Sequence, residues 1–247
     1  MFHKFKIDIS DTIFDQLSKS TTFEDVCKGR VGGVLVDSKD DMVPILRTTT
    51  KYNNPAQKFL PIHRQIINSI KEVANMPNLE FNNAMIEIYT NEYTKMGMHS
   101  DQALDFEDES YIGIYSCYDR PTDIRTLKIQ NKTTKENTEI SMDHNSVLLF
   151  STDTNRNHLH KIVLDKVTDN NRWLGITFRL SKAYIKFVNE IPYFCINKQK
   201  TDNKLSLATE EEQREFYKLR GKENRSIEYE YPNILYTISK SDHMMPI

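Results

Sequence analysis

His99, Ser100 and Asp101 place an imidazole and a carboxylate two positions apart. On an extended segment, side chains at i and i+2 point the same way, so both can reach one metal ion. A third ligand must come from elsewhere in the chain. His158 and His160, which flank Leu159 ahead of an apolar stretch, are the candidates. Two imidazoles and one carboxylate leave coordination positions open. That donor set suits Fe(II) receiving a co-substrate and oxygen. Taken alone H-x-D is a weak pattern, and a polar turn is the plainer reading in a chain with 7 histidines. Residues 171–179, Asn-Arg-Trp-Leu-Gly-Ile-Thr-Phe-Arg, strengthen it. This is an apolar strand with Arg172 near one end and Arg179 at the other. An arginine aimed into a barrel needs a counter-ion, because burying an unpaired charge is costly. A dicarboxylate supplies one, and guanidinium binds carboxylate through two parallel hydrogen bonds. A surface strand whose arginines reach solvent is the alternative.

The elements that would position these residues can be read from periodicity. Residues 84–89, 111–118, 126–129, 146–151, 160–164 and 173–180 alternate or run apolar as strands do, with turn-forming residues between them. Many short strands at even spacing predict a β-sandwich or barrel. Upstream, residues 31–36 predict another strand, and Asp11 is placed to cap a short helix bearing Ile13, Phe14 and Leu17. The clearest helix runs over 61–75. Pro61 fits its first turn, and Ile62, Ile66, Ile70 and Val73 share one face. In the tail, Thr209 and Glu212 predict a capping box, with Gly221 as the stop. The basic run Lys218, Arg220, Lys222 and Arg225 reads as a solvated helix end. Residues 229–236 predict an added edge strand.

Composition narrows the function classes. The chain of 247 residues carries 33 Lys and Arg against 35 Asp and Glu, a formal charge of −2. That excludes a strongly basic nucleic-acid coat but permits a local basic groove. The 7 glycines form no dinucleotide fingerprint, phosphate loop or nucleophile elbow. Cys27, Cys117 and Cys195 are far apart and odd in number, which points away from a disulfide framework or zinc ribbon and towards a reducing compartment. Neither a signal-peptide h-region nor an apolar run of membrane-spanning length occurs. A cytoplasmic or nuclear protein without membrane partners is expected.

Taken in order, these pieces resemble the AlkB-like branch of the Fe(II)/2-oxoglutarate dioxygenases. Residues 47–52, Arg-Thr-Thr-Thr-Lys-Tyr, with the helix after Pro61, are similar to that family's N-terminal substrate lid. Tyr89, ten residues ahead of His99, resembles the tyrosine preceding the first metal ligand. Residues 143–150 resemble the segment leading to the distal histidine, which His160-Lys161-Ile162 resembles. The strand ending Thr177-Phe178-Arg179 resembles the family's last core strand. The resemblance covers about residues 43–185. It implies an α+β chain built on a double-stranded β-helix, or jelly-roll, with flanking N-terminal helices. The chain would then be a single domain over 1–247, with extensions at 1–42 and 186–247.

Carried over, the resemblance assigns iron to His99, Asp101 and His160, with His158 as the fallback. It assigns 2-oxoglutarate to Tyr89, Arg172 and Arg179. Arg172 would take the distal carboxylate, and Arg179 would brace the other end or Asp101. Two departures stand out. Arg172 and Arg179 are seven apart where the family has six, and an odd offset puts them on opposite faces of a regular strand. Either a bulge corrects this or only one of them binds co-substrate. The family's asparagine between the arginines is also missing, with Gly175 near its place, and Glu87 stands where an upstream asparagine is usual.

The implied activity couples decarboxylation of 2-oxoglutarate by molecular oxygen to hydroxylation or oxidative N-dealkylation of a C–H substrate. Arg47, Lys51, Tyr52, Lys58 and Phe59 interleave charge with aromatics, a composition for phosphate contact and base stacking. Alkylated nucleic acid is therefore one substrate class. The alternatives are a protein or small-molecule hydroxylase of the same superfamily, and a barrel-shaped binding module without catalysis.

Overall fold

The two faces of the central strands are sorted by parity. In the computed structural model, which describes residues 1–94, 96–165, 170–197 and 199–247, the chain begins with β1 (His3–Lys6), α1 (Ile13–Ser20), β2 (Glu24–Cys27), β3 (Arg30–Val36), β4 (Met42–Pro44) and β5 (Gln57–Lys58). It continues through α2 (Pro61–Val73), β6 (Asn83–Tyr89), β7 (Tyr111–Tyr118), β8 (Thr126–Asn131), β9 (Asn137–Ser141) and β10 (Ser146–Ser151). Next come α3 (Thr152–Asn157), β11 (His158–Val163), β12 (Trp173–Arg179), β13 (Tyr184–Val188), β14 (Ile191–Ile196) and β15 (Gln199–Lys204). The last elements are β16 (Ser206–Leu207), α4 (Glu210–Arg225) and β17 (Tyr236–Thr237).

The large sheet runs β1-β10-β7-β12-β6-β3-β2, with β5 joining β3 in parallel. Opposite it lies the small sheet β11-β8-β9. On one face of the large sheet, Ala84, Ile86, Ile88, Leu174, Ile176 and Phe178 pack beneath Ile13, Phe14 and Leu17 of α1 and Ile66, Ile67 and Ile70 of α2. On the other face, Tyr89, Ile112, Ile114, Leu148, Phe150 and Trp173 pack against Leu127, Ile129 and Ile162 of the small sheet. Helices on one side and a facing sheet on the other make the jelly-roll core, and period-two alternation in β12 assigns its odd residues to the barrel interior.

Most predicted elements are present, with shifted ends. Helix α2 stops at Val73, and Asn75 takes a left-handed φ of 52°. Helix α4 has the predicted Thr209–Glu212 box but passes through Gly221 and ends at Arg225. An interior glycine costs only about 1 kcal/mol, which tertiary contacts described below offset. The predicted edge strand over 229–236 is corrected. Only Tyr236 and Thr237 are in a strand, paired in parallel with β16 rather than with the barrel. Strand β9, and the sheet β15-β14-β13-β4 that holds part of the C-terminal extension, went unread in the sequence. No helix among the described residues is long and apolar enough to cross a membrane.

Candidate iron and co-substrate site

His99 lies outside the named strands, yet its backbone forms an antiparallel bridge with His160 of β11. His99 N donates to His160 O at 3.0 Å, and His160 N donates to His99 O at 2.6 Å. Residues directly opposite in such a pair present their side chains to one face, and the two imidazole centroids are 4.8 Å apart. Asp101 Oδ1 lies 3.9 Å from His99 Nε2 and 3.5 Å from His160 Nε2. The three ligand atoms fall within 4.8 Å of one another, a grouping able to hold one metal ion. His158 is directed elsewhere. Its Nδ1 meets Thr154 O at 2.8 Å and its Nε2 meets Asn131 Nδ2 at 3.3 Å, because as the C-cap of α3 it is drawn back to the helix end.

The neighbours of these ligands hold them in a binding-ready form. His99 Nδ1 donates to Gly97 O at 2.9 Å, which leaves the Nε2 lone pair facing Asp101. Burial, followed by the adjacent His160 ring, pushes His99 down to about 3, so its neutral ligand form prevails. Asp101 N donates to Asn155 Oδ1 and Asn155 Nδ2 donates to Asp101 O, each at 2.7 Å. Arg179 donates from Nε at 2.9 Å and from Nη2 at 2.6 Å, both to Asp101 Oδ2. Burial would raise the Asp101 carboxyl, but Arg179 and the two imidazoles overcome it and hold the group well below the usual range. Oδ2 is thus committed to Arg179, and Oδ1 faces the histidines.

A cavity of about 340 Å³ opens from this cluster. Arg179 Nη1 and both amide atoms of Gln102 are buried on residues lining it, and they have no hydrogen-bond partner in the protein. Leaving such atoms unpaired costs about 1–3 kcal/mol each. Carboxylate oxygens would accept from the two donors among them, Arg179 Nη1 and Gln102 Nε2, so the residues fit both Fe(II) and 2-oxoglutarate.

The far wall departs from expectation. Tyr89 lines the cavity, but its hydroxyl donates to Glu87 Oε2 at 2.7 Å. Glu87 Oε1 accepts from Arg30 Nε at 2.8 Å and from the Tyr52 hydroxyl at 3.1 Å. Arg30, directly across from Tyr89 in the β3–β6 register, was missed by the sequence reading. Its guanidinium lies 5.8 Å and 5.7 Å from the Tyr89 and Tyr93 ring centroids. The pairing is non-local, and no spacing pattern announces it.

Arg172 is a correction. It precedes β12 on the helix-facing side, donates to Asp119 Oδ2 at 2.8 Å and lies 5.0 Å from the Phe14 ring centroid. Its side chain is 48% exposed and does not line the cavity. The register of β12 against β6 runs unbroken from Trp173 to Arg179, so no bulge rescues the odd offset. The residue six before Arg179, on the same face, is Trp173, its ring tilted against Tyr89 at 4.7 Å between centroids. Gly175 permits this. A Cβ there would sit 1.9 Å from the indole, which folds back over the glycine.

Of the lid region, Thr48, Thr49 and Thr50 line the cavity, whereas the substrate-contact reading of Arg47, Tyr52 and Phe59 is corrected. Arg47 is buried and donates to Asp105 Oδ1 at 2.6 Å and to Ile234 O at 2.5 Å. Tyr52 and Phe59 are buried as well, and Lys51 donates to Gln213 Oε1.

Comparison with known families fits this geometry. Residues 38–179 match the model of the 2OG-Fe(II) oxygenase superfamily. No individual curated protein matches the chain. With more than half its length in that match and a His-Asp-His group at the mouth of a polar cavity, the chain belongs to the 2OG-Fe(II) oxygenase superfamily, whose cofactor and co-substrate are Fe(II) and 2-oxoglutarate.

Proposed function

We propose that His99, Asp101 and His160 hold the iron, and that Arg179 and Gln102 orient 2-oxoglutarate beside it. The chain then couples oxidative decarboxylation of 2-oxoglutarate to hydroxylation or N-dealkylation of a C–H substrate. The observation that carries this is the Asp101 carboxylate, one oxygen tied to Arg179 and the other facing the two imidazoles. Iron supplies the oxygen-activating chemistry when bound. The protein's own part is to fix the ligands, present the unpaired Arg179 and Gln102 donors to carboxylate oxygens, and screen the cavity from water behind Tyr89 and Trp173. No protein base is required for this chemistry.

An AlkB-like placement is supported by the order of the motifs and the Thr177-Phe178-Arg179 ending. Its nucleic-acid substrate is less well supported. Arg47, Tyr52 and Phe59, which suggested phosphate contact and stacking, are consumed in the interior. We therefore favour a small molecule or a protein side chain as substrate, with the chain acting inside the cell. Anaerobic loading with Fe(II) followed by a succinate assay across nucleotide, peptide and small-molecule pools tests this. Succinate release stimulated by methylated oligonucleotides, weakening with salt, would return the substrate to nucleic acid. Absence of iron uptake and of turnover in every pool would overturn the oxygenase reading of these residues.

A further inference from the structure

The amphipathic stripe of α4 changes character along its length. Phe216 and Leu219 are buried with Ala208, Ile234 and Ile238, and Leu104 packs against that cluster. One turn on, the same stripe continues as Arg220, Glu223 and Asn224, at helical spacings of three and four that share a face. These polar side chains are not solvated. Asn224 Oδ1 accepts from Ser100 N at 3.0 Å, and Glu223 Oε1 accepts from Ala103 N at 2.8 Å. Arg220 Nη2 donates to Ser100 O, and its Nη1 donates to Glu223 Oε2 at 2.7 Å. Arg220 and Asn224 also line the main cavity. The basic-run reading of Arg220 as part of a solvated helix end is thereby corrected, since its side chain is 11% exposed.

Ser100 is the residue between the first two metal-ligand candidates. Both of its backbone polar groups are taken by α4 side chains, and its hydroxyl donates to His158 O at 2.9 Å. The helix is fixed in turn. Lys132 Nζ donates to Glu223 O in α4 and to Ser226 O at its C-cap, each at 3.0 Å, and Tyr231 donates to Glu223 Oε2 at 2.7 Å. Packing alone does not need three side chains on the backbone groups of one short loop, at Ser100 and Ala103. A helix that only covered the barrel would place apolar residues there.

We propose that Arg220, Glu223 and Asn224 are positioning residues of the iron site: the C-terminal helix, outside the segment that matches the superfamily model, sets the angle at which His99 and Asp101 present their ligand atoms. This inference rests on the iron-site reading above. Partners that orient metal ligands cost about 10- to 100-fold in metal affinity when removed.

The test uses Co(II) as the probe, titrated into the full-length chain, with affinity and the ligand-field absorption spectrum as readouts. Asn224→Leu removes the acceptor for Ser100 N at similar volume, and Asn224→Asp keeps it. The expected result is Co(II) affinity about tenfold weaker with an altered spectrum in Asn224→Leu, and both restored in Asn224→Asp. Arg220→Met removes the donor to Ser100 O and gives the same reading should Asn224→Leu fail to fold. Loss of Co(II) binding in His160→Ala, with wild-type affinity and spectrum in Asn224→Leu and Arg220→Met, would overturn this proposal alone. Wild-type protein that takes up no Co(II), or binds it as well as His160→Ala does, would overturn the iron-site reading and this proposal with it.

Discussion

Two buried carboxylates share the cavity and are used in opposite ways. Asp101 and Glu87 are 7% and 5% exposed; Asp101 is paired with the buried Arg179 and Glu87 with the half-buried Arg30. Asp101 gives only Oδ2 to Arg179, so Oδ1 stays directed at the two imidazoles. Glu87 spends both oxygens, on Arg30, Tyr52 and Tyr89. The glycines flanking Glu87 across the sheet explain how it is enclosed. Gly32 and Gly175 pair with it in register on either side, and a Cβ on Gly32 would come within 2.9 Å of the Tyr52 hydroxyl. The lesson is that charge and burial do not identify a ligand; the number of uncommitted lone pairs does.

The sharpest way to break this comparison is to delete each carboxylate. Asp101→Ala should reduce succinate formation to background. It should also strand Arg179, destabilising the fold by about 3–5 kcal/mol, or roughly 10 °C in Tm. Activity within tenfold of wild type would refute the ligand role. Glu87→Gln leaves Arg30 without its counter-charge, so a loss of about 3 kcal/mol is expected in denaturant unfolding. Its Co(II) affinity should stay within about threefold of wild type, because the two pairs share no partner. A collapse in metal binding there would show that the two ends of the cavity act as one.

Gly175→Ala sharpens the contrast more gently. The new methyl must displace the Trp173 indole, at about 1–3 kcal/mol. The displaced ring should reveal itself as a red-shifted tryptophan emission, which is simple to assign because the chain has one Trp. An unchanged spectrum and Tm would mean the glycine is not what seats the indole.

A third carboxylate supplies a test away from the main cavity. Burial above all, with Asp105 nearby and against the Thr237 hydroxyl and Arg47, raises Asp242 from 3.8 to about 7. A folded pKa above the unfolded one means the native state holds the proton more tightly. Its stabilising contribution is present below about pH 4 and is lost as pH rises through 7. Asp242→Asn should therefore flatten the decline in Tm between pH 4 and 7. Parallel profiles for wild type and variant would exclude Asp242 as its source.

Two of the three metal-ligand candidates, His99 and Asp101, were legible because their information is local, while His160 came from the family resemblance. His99 and Asp101 share a side by alternation, and parity already put Arg172 and Arg179 on opposite faces. The unbroken register of β12 turned that parity into a position on the outer sheet face for Arg172, and Trp173 into its inward replacement. Arg30 was invisible because its partner lies 57 residues away, across a strand pairing that no spacing encodes. The lid residues misled for a related reason. Arg47 and Tyr52 have surface-like compositions, but Asp105 and Glu87, distant in sequence, draw them inside. Helix α4 was predicted from its capping box, while the target of its polar stripe depended on a loop 120 residues earlier.

The backbone bridge between His99 and His160 has a thermodynamic consequence. His160 belongs to the small sheet, and Asp101 is tied through Arg179 to the large one. A metal ion gripped by both spans the seam between the sheets and has no comparable partner set once they part. Each tenfold of free metal above its Kd then adds about 1.4 kcal/mol to unfolding. Iron supply would set not only how much of this oxygenase is active but how long each copy survives.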